Sequence, residues 1–455
     1  MKKNSHLIAL SSVVLTLTHL SPLIAQELKF EKNPSLHSLE EYEGSYEQET
    51  RYYKTLGIYF GATASFTKQR GTHSKGICSD ATLNIEPIES NSRNAIVTEF
   101  LKHNELFKQS NGEFQTRVRF ANAKTFSGDK ITDNDRMDPK AVSLVVNYAE
   151  GKRQDFVLQN IPTFPLKDLK LFVSLMTFRT FSLDDEKVET AESITRKYSI
   201  LQKLSPMINK TLALDLKPEE LPQDVDKSLL TYSFVKNALR EFSGAIYNKL
   251  GYWRVLPGVG AALSSSLPID YPGLLIELKD LQKNQVDKVM LAKDDVKSYL
   301  TESYWSGTAF AMGENSALKY ILKACSNTKA IEKYSNNKNE DYLSEEFKEQ
   351  INTKTNACLD LYIQPLASPD FNNLNKNEIT EHVENPTKKW NESWPVYKVA
   401  TLKFDNSKLL SDEECNGITS AINVNKNTLN DIRPLGRINR GRLVPEQSSA
   451  KARLK

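Results

Sequence analysis

Three short stretches decide the fold class of this chain: Ala81-Thr82-Leu83-Asn84-Ile85, Thr116-Arg117-Val118-Arg119-Phe120 and Ala141-Val142-Ser143-Leu144-Val145-Val146. Each has the two-residue alternation or the β-branched content that is typical of a strand. A polar turn, Ser110-Asn111-Gly112-Glu113, precedes the second stretch. Short strands separated by polar turns predict an antiparallel sheet or barrel.

The remainder of the chain adds helices to this sheet. Apolar residues have helical spacing between about 184 and 250, and strand-like character returns at 304–322 and 396–404. The segment 336–356 is dense in Lys, Glu and Asn, which predicts a solvated loop or insertion. The expected fold class is α+β, an antiparallel β-barrel with surrounding helices.

Composition limits the classes of function. The 455 residues are 39% hydrophobic, which is enough for a globular core, and 60 Lys and Arg face 57 Asp and Glu. A formal net charge of +3 gives no electrostatic footprint for nucleic acid or for an anionic membrane surface.

The amino terminus has the pattern of a secretory signal peptide. Lys2 and Lys3 precede an apolar stretch from Leu7 to Leu17, and Ala25 lies at the expected cleavage point. Polar residues and a proline interrupt the stretch before it reaches the length of a membrane span, which disfavours an uncleaved anchor. We therefore expect residues 1–25 to be removed and the protein to be exported, to the periplasm or beyond.

After the signal peptide, residues 26–55 predict an extended lead-in and residues 56–455 a single domain, since no long linker divides them. Export would permit disulfides among the four cysteines, and three pairings remain open. Neither the cysteine spacing nor the few histidines favour a metal site built on several such ligands. The cysteines are Cys78, Cys325, Cys358 and Cys415.

One motif precedes the first strand. Arg70-Gly71-Thr72-His73-Ser74-Lys75-Gly76 resembles the catalase motif in which a histidine, followed two residues later by lysine and then glycine, enters a barrel strand above the distal face of haem. The resemblance implies that His73 is an acid–base residue and that Arg70 and Thr72 line the pocket. A single histidine is also compatible with a purely structural role.

Further stretches follow in the order of the same family. Arg119 resembles the strand arginine that pairs with a haem propionate, a group that suits a bidentate guanidinium. Asp138-Pro139 resembles the turn beyond it. The segment 155–172 resembles the stretch that carries the distal asparagine and two aromatic residues; here these positions hold Gln159, with Asn160 as its neighbour, and Phe164 and Phe172.

The carboxyl-terminal part extends the resemblance. Tyr304–Phe310, Trp394–Ala400 and Arg433–Arg440 resemble segments of the short catalase-related proteins, so the likeness covers residues 55–455. It is weakest in the middle of the chain.

The sequence departs from the family at the haem ligand. Catalases bind the iron through a tyrosine, with an arginine one helical turn before it. Arg442 and Arg453 occupy the two family arginine positions, but Glu446 stands where the tyrosine is expected. A carboxylate is also an anionic oxygen donor, whereas Pro445 counts against a regular helix there, and an Arg442–Glu446 pair on the surface is the alternative.

The resemblance implies a haem protein that acts on hydrogen peroxide or organic hydroperoxides, an oxidoreductase serving in oxidative stress. Within the family, a threonine at the place of Thr72 accompanies reduced catalase activity and use of organic hydroperoxides. His73 would move a proton between the peroxide oxygens while Gln159 or Asn160 donates a hydrogen bond. The alternative is a non-catalytic binding or scaffold protein that keeps the barrel but has lost haem.

Overall fold

A computed structural model gives the architecture. It describes residues 42–67, 70, 73, 75–87, 98, 100–102, 104–122, 133, 139–164, 166–170, 172–173, 296–312, 317–336, 339–366, 374, 376–405, 407–420 and 433–453. The signal peptide and the helices predicted between 184 and 250 lie outside these residues. The described residues belong to one compact unit, Leu39–Lys455.

The elements alternate between a strand-rich scaffold and helices that cover it. The strands are β1 (Gly76–Ile85), β2 (Glu113–Asn122), β3 (Lys140–Ala149), β4 (Lys152–Gln159), β5 (Tyr304–Trp305), β6 (Phe310–Ala311), β7 (Ala317–Ala324), β8 (Cys358–Pro365) and β9 (Tyr397–Lys403). The helices are α1 (Tyr46–Thr67), α2 (Glu332–Asn336), α3 (Tyr342–Asn352), α4 (Lys376–Glu384), α5 (Asp412–Ser420) and α6 (Arg437–Arg453).

Eight of the described strands close into an antiparallel barrel. The pairing runs from β1 through β2, β3, β4 and β5 to β7, then through β8 and β9 back to β1, and β6 adds to the side of β7. Closure leaves no unpaired edge in this ring. The predicted antiparallel barrel with surrounding helices is therefore confirmed.

The barrel interior is a packed core. Phe120 of β2 contacts Tyr299, Phe347 of α3 and Phe404 at ring-centroid distances of 5.2, 5.1 and 6.3 Å. Apolar side chains from every strand of the ring join the same cluster. Because successive strand residues face opposite sides, the neighbours of these residues, Arg119 among them, face outward beneath the helices. In a barrel of this size filled by side chains, a binding site has to lie outside.

Two segments differ from their sequence-based predictions. The extended lead-in expected over 26–55 is wrong from Tyr46 onward, because α1 begins there and buries Tyr52, Leu56 and Tyr59 on one helical face. The solvated loop expected over 336–356 is also wrong. It contains α3, whose buried Leu343, Phe347 and Ile351 recur every four residues and complete the core.

Two disulfides connect elements that are distant in sequence. Cys78 on β1 bonds Cys415 on α5, with a sequence separation of 337, and Cys325 bonds Cys358 across a separation of 33. No cysteine is left over among those described. In the same residues no helix has both the length and the apolar character needed to cross a membrane.

The longer disulfide loop predicts the larger stabilisation. Replacing Cys78 and Cys415 together by serine should lower the free energy of unfolding by ~2–5 kcal/mol, because the cross-link restricts the unfolded chain. In the chain-entropy account the loss should exceed that of the Cys325→Ser/Cys358→Ser control by about 2 kcal/mol. Denaturant unfolding of the two double variants measures both values, and a larger loss in the control would contradict the expectation.

Candidate functional site

Lys75 of the His-Ser-Lys-Gly motif anchors the segment before β1. Lys75 forms ion pairs with Asp133 at 2.9 Å and with Asp341 at 2.8 Å, and its ammonium donates to the carbonyl of Glu340 at 2.6 Å. His73 adopts a φ of 57°, a left-handed conformation that is uncommon outside glycine. The lysine therefore fixes a strained turn that carries the imidazole.

Gly76 makes room for Arg119 beside this turn. The guanidinium Nη2 of Arg119 donates to the carbonyl oxygen of His73 at 2.6 Å. A Cβ at Gly76 would lie 2.6 Å from that guanidinium and 2.5 Å from the carbonyl oxygen of Phe120. Only glycine permits this approach, which explains physically why glycine ends the motif.

Three arginines from distant parts of the chain, Arg70, Arg119 and Arg453, lie close enough for their charges to affect pKa values within the group. Burial lowers the pKa of Arg70 well below its usual range, with further lowering by Arg119 of β2 and Arg453 of α6, against an opposing effect of Glu446. Burial likewise lowers the pKa of Arg119 to about 10; Tyr299 opposes and Arg453 reinforces that shift. Clustered guanidinium groups of this kind favour an anionic partner such as a carboxylate.

Arginine side chains also affect the imidazole of His73. Burial, followed by Arg119, Arg70 and Arg442, lowers the pKa of His73 to about 3, so the ring is neutral at neutral pH. Its Nδ1 is buried and has no hydrogen-bond partner among the described residues. Arg442 of helix α6 therefore lies near enough to His73 to affect its ionisation.

Glu446 and Arg442 form the ion pair that their spacing predicts. Arg442 Nε lies 3.0 Å from Glu446 Oε1, and the two side chains are 19% and 23% exposed. Burial raises the pKa of Glu446 even though Arg442 and Arg70 lower it. Glu446 Oε2 is buried without a hydrogen-bond partner in the described part of the chain. This pair is thus partly desolvated, unlike the exposed pair considered as the alternative.

Helix α6 continues through Pro445, contrary to the interruption expected from a proline. Contacts on both sides of the proline offset its local cost. Before it, Arg440 is buried and forms ion pairs with Glu49 of α1 at 2.7 Å and with Glu384 of α4 at 3.1 Å. After it, Arg453 donates to Ser449 at 2.7 Å.

Glycines on α1 let α6 approach closely. A Cβ at Gly57 would lie 2.7 Å from Val444 Cγ1, and one at Gly61 would lie 3.3 Å from Ser448 Cβ. These glycines are one helical turn apart, so together they form a shallow surface against α6. The sequence pattern of small residues on α1 was a detectable signal that the sequence-based prediction missed.

The two amide candidates have different surroundings. Asn160 is fully buried, its Oδ1 accepts from the Lys140 backbone at 2.8 Å, and its Nδ2 donates to Glu302 at 3.1 Å. Its amide therefore joins the end of β4 to β3, and one of its two Nδ2 hydrogens is engaged by Glu302. Gln159, the last residue of β4, is partly buried and faces outward. Both amides stay candidates for the donor to peroxide.

The predicted aromatic residues lie together beside α1. Phe164 and Phe172 have ring centroids 5.8 Å apart, and Phe60 of α1 contacts Phe172 at 6.1 Å. Phe164 and Phe172 are partly buried, so neither is an ordinary residue of the barrel core. Thr72 and Asp138 lie outside the described residues.

The described residues contain no group of three or more His, Cys, Asp or Glu that could hold a metal ion by itself. Glu446, a buried carboxylate, and His73, a neutral base, are instead the candidate residues, and Arg70 and Arg442 affect the ionisation of both.

Comparison with known proteins adds solved structures of catalases. No protein-family model and no curated protein matches the chain. A fungal catalase is 15% identical over 74% of this chain and 50% of its own, with a TM-score of 0.40. Catalase A from Saccharomyces cerevisiae is 15% identical over 74% of this chain and 51% of its own, with a TM-score of 0.40. A bacterial catalase is 16% identical over 82% of this chain and 55% of its own, with a TM-score of 0.43.

The chain thus spans about half the length of these solved structures. At this identity and TM-score, the likeness carries no function over to this chain.

The lowered pKa of His73 predicts an acid-sensitive stability. An ordinary histidine has a pKa of 6.5, so the unfolded chain binds a proton that the folded chain excludes down to about pH 3. The contribution of the neutral ring is complete above about pH 6.5 and is lost as the pH falls towards 3. Replacement by His73→Gln should flatten the stability profile in this window, as measured by denaturant unfolding at several pH values.

His382→Gln is the comparison variant for this experiment. Burial also lowers the pKa of His382, but only to about 4, so a smaller part of the acid dependence should disappear. Profiles of equal slope in the wild-type protein and in His73→Gln would contradict the expectation.

Proposed function

We propose that this chain is a catalase-related haem protein that acts on hydrogen peroxide or organic hydroperoxides. The observation that carries the proposal is that Arg70 and Arg442 act on both His73 and Glu446: both arginines lower the pKa of His73, and both act on Glu446 of α6. This supports a site at which a base and a carboxylate from opposite ends of the chain act together.

The residues present fit haem in two respects. Two buried polar atoms, His73 Nδ1 and Glu446 Oε2, have no partner among the described residues and face the same group of arginines. Unsatisfied buried polar atoms are costly, so a missing partner is the economical explanation. The mutual repulsion of Arg70, Arg119 and Arg453 would be relieved by the carboxylates of a porphyrin.

The ligand set would differ from that of catalases. Glu446 would hold the iron through an anionic oxygen, whose ionised form Arg442 favours against the effect of burial. Arg70, Arg119 and Arg453 would bind propionates, and Phe164 and Phe172 would contact the ring. When bound, haem supplies an iron centre at which the oxygen–oxygen bond of a peroxide can be cleaved.

The protein residues would handle the proton. His73 is neutral at neutral pH because burial and three arginines disfavour its charged form. A neutral imidazole can accept the proton of one peroxide oxygen and return it to the other. The side-chain amide of Gln159 or Asn160 would hold the peroxide by donating a hydrogen bond. Excluding water from this buried site would strengthen these interactions.

Export is part of the same proposal. The pattern of residues 1–25 supports a secretory signal peptide, and the disulfides Cys78–Cys415 and Cys325–Cys358 suit an oxidising compartment such as the periplasm or the extracellular space. A function in oxidative stress outside the cytoplasm would be consistent with both features.

The decisive experiment is an absorption spectrum of protein expressed with ample haem supply. A Soret band is expected in the wild-type protein, and Glu446→Ala should weaken or abolish it because the carboxylate is removed. Gln447→Ala is the matched control, since its side chain is exposed on the same helix. Glu446→Tyr should retain the band and shift it, because a phenolate replaces the carboxylate as the oxygen donor.

The outcomes separate the two hypotheses. A wild-type protein without a Soret band would contradict the proposal and favour the non-catalytic barrel that has lost haem. A band that is unchanged in Glu446→Ala would move the iron ligand to another residue.

His73 should matter for turnover rather than for haem retention. His73→Ala is expected to keep the Soret band but to lower the turnover of hydrogen peroxide or of an alkyl hydroperoxide by ~10²–10⁴-fold, the usual contribution of a positioned acid–base group. Oxygen release or oxidation of a reporter measures the rate. Equal rates in the wild-type protein and in His73→Ala, with haem bound in both, would exclude this role.

A further inference from the structure

A buried lysine lies on the outer face of β7, in a part of the barrel that the proposed haem site does not use. Lys319 lies between Leu318 and Tyr320, which face the core, so its side chain points away from the barrel interior. It is only 2% exposed. Its Nζ has no hydrogen-bond partner among the described residues.

One aromatic ring lies over this amine, and that ring belongs to a cluster of three. Lys319 Nζ lies 4.9 Å from the ring centroid of Trp390. The Trp390 and Trp394 rings are 5.9 Å apart, and His382 of α4 lies 5.3 Å from Trp394 and 6.3 Å from Trp390. We call these four residues, Lys319, His382, Trp390 and Trp394, the Lys319 box.

Hydrogen bonds fix the walls of the box. The indole Nε1 of Trp390 donates to the carbonyl oxygen of His382 at 3.2 Å. Gln364, which faces Lys319 in the β7–β8 register, donates its Nε2 to the carbonyl oxygen of Asn391 at 3.0 Å. The segment that carries both tryptophans is thus tied to α4 and to β8, so the box is a built feature of the fold.

The box contains two polar nitrogen atoms without partners. His382 Nδ1 is buried and, like Lys319 Nζ, has no hydrogen-bond partner in the described chain. Leaving such groups unpaired is costly, and the π face of Trp390 compensates the amine only in part. A buried amine and a buried imidazole nitrogen in one aromatic cluster, neither with a hydrogen-bond partner among the described residues, are complementary to a ligand that combines an apolar ring with an acidic group.

We propose that the Lys319 box binds a small planar carboxylate. Lys319 Nζ and His382 Nδ1 donate to the carboxylate oxygens, and the rings of Trp390 and Trp394 pack against the apolar part of the ligand. The site is separate from the proposed haem site, so it can exist whether or not haem is bound.

Binding should depend on the charge of Lys319. Burial lowers the pKa of Lys319 to about 7, so the amine is largely neutral above that pH. Burial also lowers the pKa of His382 to about 4, with Lys388 and Lys319 reinforcing the shift and Glu381 and Glu378 opposing it. A carboxylate favours the protonated amine, and its affinity should therefore fall as the pH rises through about 7.

The test uses benzoate as the probe and tryptophan fluorescence as the signal. Benzoate should change the fluorescence of the full-length protein in a saturable manner, and uncharged benzyl alcohol, of similar shape, should not. Lys319→Met should weaken benzoate binding by about tenfold to a hundredfold, the range expected when a charge-assisted hydrogen bond is lost.

Lys323→Met is the matched control for the variant. Lys323 lies on the same strand, 5.5 Å from the ring centroid of Tyr362, but it is partly exposed and outside the box. This control should bind benzoate as the wild-type protein does. Circular dichroism and the absorption spectrum establish that the fold and any bound haem are unchanged in both variants.

A second measurement on the wild-type protein makes the test independent of the variants. Calorimetric titration with benzoate at about pH 8, in two buffers of different ionisation enthalpy, should show proton uptake, because Lys319 with a pKa of about 7 must become charged.

Three results would overturn the proposal: no saturable benzoate binding at millimolar concentration, equal binding of benzyl alcohol, or binding without proton uptake. Equal binding of benzoate by Lys319→Met and by the wild-type protein would also overturn it. None of these results bears on the Soret band, so the failure of this proposal and that of the haem proposal are distinguishable.

Discussion

The arrangement of the candidate site depends on the buried ion pairs of Arg440. This guanidinium on α6 binds Glu49 of α1 and Glu384 of α4, and all three side chains are almost completely buried. Burial alone would lower the pKa of Arg440, but the carboxylates of Glu384 and Glu49 outweigh that effect and raise it. Removal of one partner from such a group leaves uncompensated charge in the interior, which is strongly destabilising. The cluster therefore fixes the start of α6, and with it the place of Arg442, Glu446 and Arg453.

The site around His73 differs from the Arg440 cluster in its balance of charges. Around His73 positive charge predominates among the described residues, because Arg119, Arg70 and Arg442 all lower the pKa of the imidazole while Glu446 opposes the lowering at Arg70. A folded protein tolerates this imbalance where other interactions hold the groups in place. Here the tether of Lys75 and the close approach allowed by Gly76 do so. The helix anchor thus pairs one buried cation with two carboxylates, whereas the site gathers several guanidinium groups around a neutral imidazole.

Much of the fold could be predicted from the sequence because strands carry a local signal. The alternation in 81–85, 116–120 and 141–146 corresponds to β1, β2 and β3. Helices α1 and α3 could not be predicted in the same way. Their buried faces include tyrosines in α1 and single apolar residues between charges in α3, and their burial depends on partners far along the chain. The disulfide pairing could not be predicted for the same reason, because the spacing of cysteines along the sequence does not give the distances between them in space.

Residues of the candidate site could be predicted where a short sequence motif identified them. They could not be predicted where their role depends on contacts with residues far along the chain. His73, Arg119 and the Arg442–Glu446 pair were candidates from their motifs, and in the structure Arg119 bonds the His73 carbonyl while Arg442 affects the His73 ring. The surroundings of Asn160 were not predictable, because its amide bonds Lys140 and Glu302, the latter 142 positions away in the sequence. The effect of Pro445 was overestimated because the partners that anchor Arg440 lie far from it along the chain.

In this barrel the inward-facing strand residues form the core, and outward-facing residues of the same strands belong to the candidate sites. On β2, Val118 and Phe120 enter the core while Arg119 between them reaches His73. On β7, Leu318 and Tyr320 enter the core while Lys319 lies against Trp390. A change at an outward position can therefore alter a site without opening a cavity in the core, whereas a shift of one residue in register would exchange the two faces. Closure of the ring prevents such a shift, because every strand in it is paired on both sides. The barrel can thus keep its shape while the charged residues on its outer surface change.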